Sequence, residues 1–107
     1  MKSTSMEGID FLILKQRLAT CQAMLICALK IIQGHRSLAL LRKDWIQAAE
    51  EDDEALMYTL ASCIHAATKT LNSYKSEYDK LEQKLRRLTR TEERVQGIES
   101  SKPTMVN

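Results

Sequence analysis

The chain has 107 residues, a net charge of +2, three glycines and one proline. That length leaves room for one small core, and the scarcity of turn formers excludes a loop-rich or all-β fold. A charge so close to zero excludes a molecule that holds polyanions by bulk attraction. The charges are nevertheless blocked: residues 1–49 carry seven basic and three acidic groups, residues 50–54 read EEDDE, and the remainder carries nine basic against six acidic.

Residues 1–7 form a polar lead. Thr4 followed by Glu7 fits a capping box, in which each side chain satisfies backbone donors at the other end of the first turn, and Asp10 adds a favourable charge near a helix N-terminus. From there Phe11, Leu14, Leu18, Cys21, Leu25, Ala28 and Ile32 recur at steps of three and four, the spacing of a helix with a coiled-coil seam. Gly34 interrupts the run, at a cost of about 1 kcal/mol relative to Ala, and marks a kink or short turn. The pattern resumes at Leu38, Leu41, Trp45 and Ala48. Because Ile31, His35 and Leu38 keep the phase across the glycine, the expectation is one bent helix over about 7–49.

A second apolar stripe runs beside this seam: Ile13, Thr20, Met24, Cys27, Ile31 and Leu38, displaced by roughly 100° around the axis. Between residues 23 and 32 the helix is apolar almost all round, the pattern of a helix buried by more than one neighbour. One hairpin seam covers one stripe. Ile13, Met24, Cys27, Ile31 and Leu38 are therefore the expected partner interface, filled by a second chain. The alternative is that the chain folds back at Gly34 into a three-helix bundle.

The five acids locate the turn. At a helix C-terminus they would oppose the macrodipole, whereas at an N-terminus they are favoured, and Asp52 or Asp53 is a good N-cap. The turn is expected at 49–53, although no glycine or proline marks it and one continuous helix is the competing reading. A second helix over about 54–97 follows. Its seam is Met57, Leu60, Ile64, Ala67, Leu71, Tyr74, Tyr78, Leu81, Leu85, Leu88 and Val95, broken only at Glu92. Gly97 suits a C-cap, and 99–107, with Pro103, is expected to be a flexible tail.

The fold expected is all-α: a long antiparallel, coiled-coil-like helical hairpin, one domain over 1–98, completed into a four-helix bundle by a second chain. An antiparallel register would set Trp45 beside Met57, Leu38 beside Ile64, Ala28 beside Tyr74 and Leu14 beside Leu88.

Little in the chain suggests chemistry. Cys21, Cys27 and Cys63 form no CxxC and read as small hydrophobes in a reducing compartment. A zinc site of Cys63, His65 and His35 lacks ligand spacing. Neither histidine has a nucleophile or carboxylate at a revealing offset, and no P-loop, GxGxxG or HExxH occurs. No catalytic residue, cofactor or metal is expected. The most apolar segment, 23–32, is about half the roughly twenty residues a bilayer requires and contains Lys30, so no transmembrane segment is expected and the chain reads as cytoplasmic or otherwise intracellular.

Arg86, Arg87, Arg90 and Arg94 gather near the end of the second helix. Glu82, Glu92 and Glu93 are interleaved, and no base-reading aromatic sits nearby, which argues against nucleic acid. The function expected is a non-enzymatic protein–protein interaction module: a small helical chaperone, an adaptor, or a subunit of a coiled-coil complex, acting on a helical partner or as a homodimer. The alternative is an anion-binding module that contacts nucleic acid or an acidic membrane surface through those four arginines.

Overall fold

The computed structural model describes the backbone of residues 2–105 and the side chains of residues 8–95. Two helices make up the fold, α1 over Lys2–Glu50 and α2 over Glu54–Met105, joined as a helical hairpin. α1 runs through Gly34 without a break, so the chain does not fold back there into a third helix. It is helical from Lys2; the side chains of the expected capping pair, Thr4 and Glu7, lie outside the described residues. α2 continues through Gly97, the expected C-cap, to Met105 and takes in most of the expected tail. A single glycine costs a helix only about 1 kcal/mol, which flanking turns can offset.

The turn at 51–53 is built from Glu51, Asp52 and Asp53 instead of glycine or proline. Asp52 holds a positive φ of 56°. The amide of Asp53 donates to the carbonyl of Ala48 (2.9 Å), and that of Asp52 donates to Ala49 (3.2 Å). Those two bonds define a Schellman motif, with Asp52 in the left-handed position that glycine usually holds. Asp53 then caps α2: its Oδ1 accepts from the amide of Leu56 at 3.1 Å. One residue therefore both closes the first helix and opens the second, and the turn needs only three residues.

The chain divides into two compact units. The unit Leu25–Asp79 contains the turn. Within it Gly34 lies against Leu71, close enough that a Cβ on Gly34 would meet Leu71 Cδ1 at 2.9 Å. The Cys27 thiol donates to the Tyr74 carbonyl at 3.1 Å, and the Lys30 ammonium sits 5.5 Å from the Tyr74 ring centre. These pairings fall within about one helical turn of the register expected from the seams. The other unit pairs Met1–Met24 with Lys80–Asn107, and in it Arg17 forms an ion pair with Glu92.

Candidate functional site

Up to Ile32, burial assigns the two stripes of α1 to roles opposite to those expected. Ile13, Cys27 and Leu38 are only 7%, 5% and 3% exposed, and Met24 and Ile31 are half-buried. These five residues, expected to face a partner, line the hairpin's own seam. The full buried run is Ile13, Arg17, Thr20, Met24, Cys27, Ile31, Gly34, Leu38, Leu41, Trp45 and Ala48, every member buried or half-buried. It keeps steps of three and four without a fault. Gly34 interrupts the other stripe because it belongs to this one.

The expected seam lies outside as far as Ile32; beyond it Leu38, Leu41, Trp45 and Ala48 are buried or half-buried, as expected. Phe11, Leu18 and Leu25 are 64%, 57% and 63% exposed, and Leu14 and Ile32 are close to half exposed. Cys21 is exposed and Ala28 half-buried. Shape decides between the stripes. In the unit that contains the turn, bulky Leu71 and Tyr74 of α2 meet small residues of the facing stripe of α1, Gly34 and Cys27. Small residues let the backbones approach; the run of Phe, Leu and Ile does not. Thr20, at 3% exposure, buries its hydroxyl at no loss because it donates to the Gln16 carbonyl at 2.8 Å.

On α2 the seam lies where the repeat places it. Leu71 is buried, and Met57, Leu60, Ile64, Ala67, Tyr74, Tyr78, Leu81, Leu85, Leu88 and Val95 are half-buried. The large apolar side chains exposed on the described part of α2 are Leu56 and Tyr58, beside the turn. The two helices therefore differ in kind. α2 has one apolar face and covers it, whereas α1 has two and covers one. Leu12, Ile26, Leu29, Leu40 and Ile46 are further exposed apolar side chains of α1.

The α1 helix also contains, within Gly8–Glu50, an 18-residue window long and apolar enough to cross a membrane by length and composition, of which 17% is buried. The ten-residue count over 23–32 missed this because the apolar residues continue on both sides at wider spacing.

In the unit containing the end of α2, Leu85, Arg86, Thr89, Arg90 and Glu93 line a shallow concavity of about 290 Å³. Gln83, Arg86, Arg87 and Arg90 line a second, of about 210 Å³. Three of the four arginines expected to contact anions thus come together, and Arg94 lines neither. Arg86 is held by Glu82 at 2.6 Å. Cys63, His65 and His35 are all exposed, and among the described residues no group of three His, Cys, Asp or Glu side chains could hold a metal ion. Compared with known proteins, the chain matches no family model, no curated protein and no solved structure.

Proposed function

We propose that the chain is a non-enzymatic protein–protein interaction module, a small helical chaperone, adaptor or subunit of a coiled-coil complex, whose contact surface is the uncovered apolar face of α1. One observation carries this reading: α1 has two stripes at coiled-coil spacing, and the hairpin covers only one. Leaving a large aliphatic side chain in water forfeits roughly 1.5–3 kcal/mol relative to burying it, and a contiguous exposed apolar patch is the surface feature that marks an interaction site. The three thiols, all free and two of them exposed, fit a reducing intracellular setting.

Changing Leu18 and Leu25 together to Gln tests the reading. The variant is expected to stay helical and to lose its associations, whether with itself or with a partner captured by the tagged chain. A wild-type chain that stays monomeric and captures nothing the variant fails to capture would refute it.

The concavities around Arg86, Arg87 and Arg90 favour a second reading, an anion-binding module. Salt separates the two. Association through the α1 face should survive 1 M salt, whereas a phosphate contact should weaken steeply between 50 and 200 mM.

A further inference from the structure

Resting on that reading, we infer that the occupant of the uncovered α1 face is a second copy of this chain, packed antiparallel along α1 about a two-fold axis at Ala23. α1 is one unbroken helix, so its repeat of Phe11, Leu14, Leu18, Cys21, Leu25, Ala28 and Ile32 stays on one face of that helix. Turned against itself about Ala23, the repeat sets large against small in its central layers. Leu18 meets Ala28 of the second copy and Leu25 meets its Cys21, while Leu14 and its Ile32 close the outer layers. Large against small is the match a dense seam requires. A parallel pairing would set each large residue against itself.

The flanks agree. Residues 11–43 hold six basic groups and no acid, so most self-pairings bring base against base. About Ala23, Lys15 falls beside Leu29 of the second copy, where its aliphatic stem can pack while the ammonium stays in water. Gln22 falls beside Gln22. Arg36, Arg42 and Lys43 lie beyond the paired segment.

The area is also sufficient. Phe11, Leu14, Leu18, Leu25, Leu29 and Ile32 are each roughly half exposed or more. At on the order of 100 Å² apiece they would bury about 600 Å² per chain, close to the ~800 Å² per partner of a stable interface once their neighbours are added. The polar outer face of α2 takes no part. The resulting four-helix assembly has both α1 helices inside and both α2 helices outside.

Cysteine cross-linking tests the register. In a Cys21→Ala, Cys63→Ser background, the double variant Leu14→Cys, Ile32→Cys should oxidise to a covalent dimer of twice the chain mass. Residues 14 and 32 lie about 27 Å apart along one helix at 1.5 Å per residue, which precludes an internal bridge. Leu14→Cys alone should stay uncross-linked, because the two copies of residue 14 lie at opposite ends of the contact. Without any cysteine substitution, sedimentation at tens of micromolar should give a dimer, and Leu18→Gln with Leu25→Gln should raise its dissociation constant at least about 100-fold.

Cross-linking by Leu14→Cys alone, or a wild-type chain that sediments as a monomer, overturns the inference. A monomer that still captures a partner, with capture lost in the Leu18→Gln, Leu25→Gln variant, refutes the second copy and leaves the interaction reading standing. A monomer that captures nothing refutes both.

Discussion

Arg17 and Glu92 are the one charged residue in the buried stripe of each helix over the described residues, and they meet each other. Taken singly each is a fault in an apolar repeat. Taken together they fix the pairing of α1 with α2 in their unit, as a polar pair in a coiled-coil seam fixes register. The side chains keep 34% and 25% of their surface in water, so solvent screens the attraction and the pair contributes alignment more than stability.

A double-mutant cycle tests this role. Glu92→Leu alone leaves the Arg17 guanidinium half-buried and should cost about 1 kcal/mol. Arg17→Leu with Glu92→Leu should recover that loss, because an apolar pair of similar size is commonly as stable as the ion pair. Urea unfolding checks both. A double variant no more stable than the single one would show that the seam needs the charges themselves.

Gly34 should respond in the opposite sense to an ordinary helical glycine. A glycine-to-alanine change in a helix normally gains about 1 kcal/mol. At Gly34 the new methyl would press on Leu71, itself 4% exposed, and overpacking costs of that kind run to about 1–3 kcal/mol. Gly34→Ala is therefore expected to destabilise, and to do so less when Leu71 is shortened to Val. Gly8, with nothing within 4 Å of an added Cβ, supplies the control, and Gly8→Ala should stabilise. Equal effects at the two glycines would refute close approach at Gly34.

At the turn, Asp52→Gly should stabilise by about 1 kcal/mol, since glycine adopts the left-handed conformation without the penalty a Cβ brings. Asp52→Pro should cost several times as much, because its φ of 56° is closed to proline. Asp53→Ala removes the cap on the Leu56 amide and should cost about 1 kcal/mol. Thermal melts of the three variants order them. A destabilising Asp52→Gly would mean that the Asp52 side chain itself holds the turn.

The two stripes of α1 should separate in stability measurements made at a concentration where the chain is monomeric. Leu38→Gln places an amide in the seam and should cost at least about 3 kcal/mol, combining lost burial with an unsatisfied polar group. Leu25→Gln, on the uncovered face, should change stability by no more than about 0.5 kcal/mol. Similar losses at both positions would show that the outer stripe is also core.

Spacing and composition alone determined that the protein is a pair of long helices, that α2 has one apolar face, that the acids at 50–54 mark the turn, and that α1 has more apolar surface than a hairpin can bury. These are local properties, set by side-chain period and by the sign of charge at a helix end. Only the tertiary structure decided which stripe of α1 went inside. By apolar content, Phe11, Leu14, Leu18, Leu25 and Ile32 outrank a run interrupted by Arg17, Thr20 and Gly34, and spacing alone serves either stripe equally well. The helices instead pair through the run whose small residues admit Leu71 and Tyr74 and whose arginine finds Glu92. Burial rewards surface of any shape, but close packing rewards complementarity between two particular surfaces, which neither helix specifies without the other.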